Sequence, residues 1–465
     1  MLIVGNTREL ILDMLMEILE KGSYSHLVIR DVLDKYNYSD PRDKSLVKRV
    51  TEGTLERLIQ IDYILDTFSK VPVSKMKPLI RNLLRMSVYQ LLFMESIPAS
   101  AVINEAVKLS GKRGLKGLSG FVNGVLRNIE REKERIPYPE RDKDAVKYLS
   151  VQYSMPEWLV YKWIDAYGQE KTQRVLEGLL QERPVSVRLK ESLGEKEKEG
   201  WISAMQKTKV HLKKHPYLSY AYEISGAEGI RNLPGFAEGY FTVQDVSSML
   251  VTEAAVGTME EDGGAPEEKM VLDVCAAPGG KSMHIAEKLN GTGKVIARDL
   301  SEYKVSLIRD NIGRMGYANI EAQVADARQF DQEMRGWADL VLADLPCSGF
   351  GSMGKKRDIK YRAREEALEE LILLQRRILD TIWQYVKPGG VLLYSTCTMN
   401  PDENEHMVEW FLEHYPFTPE DLSPFLPDAL KEEGRSSMLQ LFPGIHKTDG
   451  FFLARLRRKE DGKAD

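Results

Sequence analysis

From Met270 onward the chain alternates short, almost wholly apolar runs with longer segments of helical periodicity, and this alternation narrows the possible folds more than any other feature. The runs are "MVLDVCAAPGGK", "KVIARDL", "IEAQVADA", "ADLVLADLP" and "GGVLLYSTC". Segments such as "EYKVSLIRDNIGRMG" and "REEALEELILLQRRILDTIWQYV" separate them. A strand that is apolar at nearly every position must be covered on both faces. Interleaved helices supply that cover, so the expectation is a parallel α/β sheet. Ligands in such sheets bind beyond the carboxyl ends of the strands. All three cysteines of the chain, Cys275, Cys347 and Cys397, fall at those ends.

The full 465 residues exceed one ordinary core, and two or three domains are expected. Apolar residues recur at helical spacing in "KSLVKRVTEGTLERLIQIDYILDTF" and "MKPLIRNLLRMSVYQLLFME", so residues 1–138 read as an all-α domain. Arg8, Glu9, Asp13, Glu17 and Glu20 make the N-terminus an amphipathic helix rather than a secretory leader. In "IPASAVINEAVKLSG", Ser100 is a candidate N-cap. The two prolines of "RIPYPERD" mark a linker. Beyond it, strand-like "RPVSVRL" and "YEISG" flank a charged helix, a small α+β domain over residues 143–236. The α/β domain then spans 237–460, and acidic, Gly-rich Val256–Met270 reads as a mobile loop.

Charge and cysteine usage exclude several classes. A net charge of −5 argues against a protein that coats nucleic acid indiscriminately, yet Lys70–Arg135 holds thirteen Lys/Arg against five Glu, a local +8. That segment can offer a basic face to phosphates. Three cysteines without a CxxC pair give neither a disulfide framework nor zinc spacing, so a reducing cytoplasm is expected and no metal. No apolar run approaches the roughly 18 residues of a membrane span, and a monomer is expected.

The stretch "LDVCAAPGGKS" places small residues and Gly279-Gly280 between the first strand and its helix, where a ligand can approach bare backbone. It matches neither GxGxxG nor a phosphate loop. Asp273, Asp299, Asp326 and Asp344 end four successive strands. One such acid is readily explained as a helix N-cap. Four together imply a polar ligand held by carboxylates. A nucleoside without a diphosphate fits best, and S-adenosylmethionine is the expected cofactor. Among the thiols, Cys275 sits among alanines and reads as a small core residue. Cys347 in "DLPCSGFG" and Cys397 in "YSTCT" each end a strand on the ligand edge, where a thiolate could reach substrate.

Together, "LDVCAAPGGKS", "DLPCSGFG" and "YSTCT", with "VQDVSSMLV" before them and "DGFFLARL" after, resemble the Sun (RsmB-type) RNA cytosine-5 methyltransferases over essentially the whole chain. The stretch "IPASAVINEAVKLSG…GFVNGVLRNI" resembles the NusB-like RNA-binding domain of the bacterial 16S rRNA subgroup. The resemblance implies an all-α NusB-like domain, a small α+β domain and a Rossmann-like methyltransferase domain. It implies methylation at C5 of a specific cytosine in 16S rRNA, as free RNA or an early small-subunit particle, through a covalent adduct at C6. By the same resemblance Cys397 is the nucleophile, Cys347 assists product release and Asp344 holds the cytosine edge. Cofactor contacts carry over to Cys275, Ala276, Ala277, Pro278, Gly279, Gly280, Lys281, Asp299, Asp326 and Asp344. Departures from the family pattern are Leu345 (usually alanine), Ala325 (commonly glycine) and Arg357 (usually proline). The alternatives are a tRNA or other rRNA target, or a non-catalytic NusB-like RNA-binding factor.

Overall fold

The computed structural model describes residues 2–3, 6–37, 41–227, 229–256 and 268–460. Residues 257–267, most of the expected mobile loop, lie outside this set. The chain forms two compact units: Met1–Leu180 together with Met353–Arg362, and Gln181–Ser352 together with Ala363–Asp465.

The first unit is helical apart from one short parallel pair, Leu2–Ile3 on Tyr36–Asn37. Its elements are α1 (Thr7–Leu19), α2 (Ser25–Lys35), α3 (Pro41–Glu56), α4 (Leu58–Phe68), α5 (Pro78–Phe93), α6 (Ala99–Lys112), α7 (Ser119–Glu132), α8 (Ala145–Tyr153), α9 (Glu157–Tyr167) and α10 (Gln169–Leu180). Periodic Leu and Ile side chains of α1, α4, α5, α6 and α7 close one core around Ile11, Leu15, Ile61, Leu84, Ile103 and Leu126. Helix α6 starts two residues earlier than expected: Pro98, not Ser100, is the N-cap, because its fixed φ of −60° already sets the entry.

The contacts divide the chain differently from the expected boundaries. Helices α8–α10 group with the helical unit, since Ser154 Oγ accepts Ile59 N of α4 at 2.8 Å. "RIPYPERD" is non-helical but packed: Tyr138 stacks on Tyr63 at 6.3 Å, and the Tyr63 hydroxyl donates to Pro137 O. Proline excludes helix, not contact.

Residues Met353–Arg362 join this unit through charge. Arg357, the departure from the family pattern, donates to Glu56 Oε1 at 2.9 Å and pairs with Glu52. Asp358, buried, accepts Ser25 N at 3.2 Å at the start of α2 and Arg362 Nε at 2.8 Å. Within α15 (Ile359–Arg362), buried Lys360 donates to Glu56 O at 2.8 Å.

The second unit opens with a small antiparallel sheet: β1 (Val185–Leu189), β2 (His211–Lys214), β3 (Ala221–Ser225) and β4 (Phe241–Val243), in the order β2-β3-β1-β4. Trp201 and Met205 of α11 (Glu195–Gln206) pack on Val187, Leu189, Ile224 and Phe241. The expected domain end at 236 thus falls inside this sheet, because Phe241–Val243 pairs with Val187–Leu189. Buried Arg188 pairs with Glu287 and donates to Gln244 Oε1, tying the small sheet to its neighbour.

The main sheet comprises β5 (Met270–Asp273), β6 (Lys294–Asp299), β7 (Ile320–Val324), β8 (Ala338–Asp344), β9 (Val386–Thr396), β10 (Phe417–Pro419), β11 (Met438–Leu441) and β12 (Phe451–Arg458). Its order is β10-β12-β9-β8-β5-β6-β7, with β11 also on β12. Strands β5–β9 run parallel, and β12 is antiparallel to β9. Helices α12 (Val246–Val256), α13 (Gly280–Lys288), α14 (Glu302–Met315), α16 (Glu365–Ile382) and α17 (Glu405–His414) accompany it. Strand order reverses at β5, which has β6 on one side and β8 on the other, so a crevice is expected at their carboxyl ends.

Burial pushes the Lys360 ammonium down to about 7, and the Glu56 charge only partly opposes this. The unfolded chain keeps this lysine protonated to a higher pH, so the folded state binds fewer protons above neutrality and gains stability as pH rises. Chemical unfolding at pH 7 and pH 9 should therefore show a gain of up to about 1.4 kcal/mol per pH unit in the wild type, absent from Lys360→Met.

Candidate active site at the strand ends

Strand β5 ends at Asp273, which is buried. Its Oδ2 accepts Ser282 Oγ at 2.5 Å and its Oδ1 accepts Cys275 N at 3.3 Å. Burial, aided by the Asp344 charge, pushes its carboxyl up to about 7 despite Ser282. The loop that follows carries no large side chain through Ala276, Ala277, Pro278 and Gly279. Gly279 has φ +98°, a left-handed conformation that glycine adopts freely, and it caps α13, which begins at Gly280. Burial pushes the half-covered Cys275 thiol up, as suits a packing residue.

Asp299 at the end of β6 organises this loop. Its Oδ2 accepts Ala277 N at 3.0 Å, and its Oδ1 accepts Leu300 N at 2.8 Å and Lys304 Nζ at 3.0 Å. Leu300, next in the chain, is 57% exposed and offers apolar surface beside the carboxylate. Asp326 does not end its strand: β7 stops at Val324 and Asp326 lies two residues on. Its Oδ1 accepts Arg328 N at 3.0 Å, and the Arg328 guanidinium holds its carboxyl below the usual range.

Asp344 ends β8, opposite Ser395 of β9. It accepts Lys281 Nζ at 2.7 Å and Ser395 Oγ at 2.8 Å. Burial works against the Lys281 charge, yet Asp344 outweighs it and holds this ammonium above the ordinary lysine range. Beyond the two strand ends the chain turns twice, and the turns bring Cys347 Sγ to 3.3 Å from Cys397 Sγ. Gly351 N donates to Cys397 O and Gly450 N to Gly351 O, each at 3.0 Å. A Cβ at Gly351 would overlap the Gly450 carbonyl, so this approach requires glycine.

Sequence reasoning missed the residues that support the thiols. Glu403 accepts Ser348 N at 2.8 Å, Ser348 Oγ at 2.5 Å, Gln375 Nε2 at 3.1 Å and Asn400 Nδ2 at 2.9 Å. Asn404 accepts Thr396 Oγ1 at 2.5 Å and donates to Thr398 O at 3.2 Å, bracketing Cys397. The signal was present as "NPDENE" directly after "STCTM": polar residues in so short a span after an apolar strand must satisfy one another or a ligand.

Comparison with known proteins matches this arrangement throughout the chain. The model of the 16S rRNA methyltransferase RsmB/F family matches residues 264–457, and that of the NusB family matches 5–131. The probable ribosomal RNA small subunit methyltransferase B of Bacillus subtilis is 35% identical, covering 98% of this chain and 99% of its own length. The ribosomal RNA small subunit methyltransferase B of Salmonella arizonae is 30% identical, covering 98% and 99%. The crystal structure of PH0851 has a TM-score of 0.76 at 25% identity, covering 98% of this chain and 99% of that one. The chain belongs to the ribosomal RNA small subunit methyltransferase B family. It is an rRNA methyltransferase with S-adenosylmethionine as methyl donor, which sets aside the non-catalytic alternative.

The residues present fit that donor. The loop Ala276–Gly280 carries no large side chain to obstruct it, the Asp299 carboxylate at the end of β6 would accept its ribose hydroxyls, and exposed Leu300 would cover its base. Asp299→Ala should weaken S-adenosylmethionine binding at least tenfold, about 1.4 kcal/mol. Isothermal calorimetry checks this, and unchanged affinity would remove Asp299 from the ribose site.

Proposed function

We propose that this enzyme methylates C5 of one cytosine in 16S rRNA through a covalent cysteine adduct. The observation that carries the reading is the pair of sulfurs, 3.3 Å apart beside the Asp344 carboxylate at the carboxyl ends of β8 and β9. Cytosine C5 is a weak nucleophile until a thiolate adds to C6. Cys397, on the β9 side, makes that addition, and its sulfur–C6 bond leaves C5 electron-rich. Asp344 faces the cytosine edge and favours addition. Bound S-adenosylmethionine supplies the electrophilic methyl group that C5 takes up. Loss of the C5 proton and departure of the Cys397 sulfur then restore the aromatic ring. Cys347, in contact with Cys397, assists this release.

The substrate reading draws on the relatives, whose names specify the small ribosomal subunit, and on the NusB match over residues 5–131. The target base must leave its stack, which a hairpin-loop cytosine does at lower cost than a paired one. Of the thirteen basic residues between Lys70 and Arg135, at least six are held in ion pairs within the helical unit: Arg81, Arg85, Lys108, Lys112, Arg113 and Arg131. Lys70, Lys75, Lys77, Lys116, Arg127, Lys133 and Arg135 remain exposed to meet phosphates. No helix among the described residues is long and apolar enough to cross a membrane, and action in the cytoplasm as a monomer is part of the proposal.

One denaturing gel tests the thiol roles, using labelled RNA, S-adenosylmethionine and two variants. Cys397→Ala should form no adduct and transfer no methyl group. Cys347→Ala should stall release and accumulate a protein–RNA adduct that survives denaturation. An adduct with Cys397→Ala and none with Cys347→Ala would reverse the assignment.

A further inference from the structure

Beside the two thiols lies a carboxylate that the chemistry above does not use. Glu403 has no exposed surface. The four groups on its oxygens, Ser348 N, Ser348 Oγ, Gln375 Nε2 and Asn400 Nδ2, all donate. A shell made only of donors suits a carboxylate, because a carboxylic acid would leave its own proton without an acceptor. Among the described residues no cation lies within ion-pair distance of Glu403. Its charge is stabilised by neutral dipoles and is not cancelled.

That charge is held against the turn that carries Cys347. Ser348, which gives Glu403 two hydrogen bonds, directly follows Cys347, and Gln375 bonds both Glu403 and Pro346 O, which precedes it. The Lys281 ammonium interacts with Cys397 and with Asp344. Of the other groups near the pair, Asp344 adds to the negative potential at Cys347, after Glu403. Asp344 is matched by Lys281 and Ser395 Oγ. Tyr394, kept neutral by burial, donates to Glu403 O.

Two thiolates in contact would repel strongly, so near neutrality the pair holds at least one proton. Negative potential from Glu403 favours that proton on Cys347, which leaves the thiolate to Cys397. The Cys347 thiol is accordingly held well above the ordinary range by its hydrogen bond with Cys397 and by burial, with Glu403 adding to both. We propose that Glu403 is a positioning residue for the methyl transfer: it fixes the turn that carries Cys347 and keeps the shared proton on that sulfur, leaving Cys397 as the thiolate. This rests on Cys397 being the nucleophile.

The test is the pH dependence of initial alkylation of each thiol in the full-length protein, read by iodoacetamide labelling and peptide mass spectrometry. In the wild type, Cys397 should label at lower pH than Cys347. In Glu403→Gln, which keeps the side-chain shape and removes the charge, the Cys347 midpoint should fall by at least one pH unit, a tenfold gain in acidity. A Glu403→Gln protein that binds S-adenosylmethionine normally with an unchanged Cys347 profile overturns the proposal. Labelling of Cys347 before Cys397 in the wild type overturns it too, and needs no variant to fold. If Cys397 is not the nucleophile at all, the adduct gel shows it independently of either labelling profile.

Discussion

Strands β8 and β9 run parallel in a register that places Asp344 opposite Ser395. Both therefore end at the same level of the sheet, and the turns leaving them occupy the same space. Parallel hydrogen bonding fixes this alignment, and the apolar faces on either side hold it, because a slip of one residue would exchange every side chain between faces. The approach of the two sulfurs follows from this register. The return segment completes it where Gly351 and Gly450 pass backbone to backbone, an approach that a Cβ on Gly351 would block. The same alignment sets Lys281, from the start of α13, against the carboxylate at the end of β8.

Carboxylates crowd this edge, and taking each out of water costs several kcal/mol unless partners replace the solvent. The chain meets that cost differently at each one. Asp273 takes a hydroxyl and one backbone N–H, and burial leaves its carboxyl at about 7. Asp299 takes two backbone N–H groups and a lysine. Asp344 takes a lysine and a serine hydroxyl, and Glu403 takes only neutral donors. The differences decide what each can do. Asp299 holds the turn at Ala277, Asp344 joins the start of α13 to β9, and Glu403 ties the turn after Cys347 to Asn400. Dipoles already oriented need no reorganisation when charge moves during reaction, so such an edge is suited to thiol addition and departure.

Legibility in the sequence followed the range of the interactions involved. The parallel sheet was readable because burial on both faces writes itself as uninterrupted apolar runs at Met270, Lys294, Ala338 and Gly390. The strand-end positions of Asp273, Asp299 and Asp344 followed from the same runs. Asp326 did not follow, because an aspartate that hydrogen-bonds the backbone two residues on looks in sequence like one that ends a strand. The compact helical unit runs past the expected boundary at 138–143 to Leu180, because Pro137 and Pro139 signal the end of helix while the bond of Ser154 to Ile59 is long-range and leaves no local trace. Glu403 and Asn404 went unrecognised because, besides local bonds to Asn400, Thr396 and Thr398, they depend on Ser348, Gln375 and Gln440 from distant segments. A buried polar network has no periodicity to betray it.

The basic segment shows why a charge count and a binding surface are different quantities. Glu9 and Asp13 of α1, part of the spacing that marked the N-terminus as amphipathic, take Lys112 and Arg113, and Glu20 takes Arg81. Asp62 of α4 takes Arg85. Part of the +8 between Lys70 and Arg135 is therefore matched by acids outside that window, and these charges hold helix to helix. An arginine already paired with a carboxylate gains little by exchanging it for a phosphate, since one anion replaces another. Only unpaired cations release counterions on meeting RNA, at roughly 0.7 to 0.9 in the salt slope per phosphate neutralised. The electrostatic reach of this segment toward RNA is thus set by the exposed group of Lys70, Lys75, Lys77, Lys116, Arg127, Lys133 and Arg135, about half of what composition alone suggests.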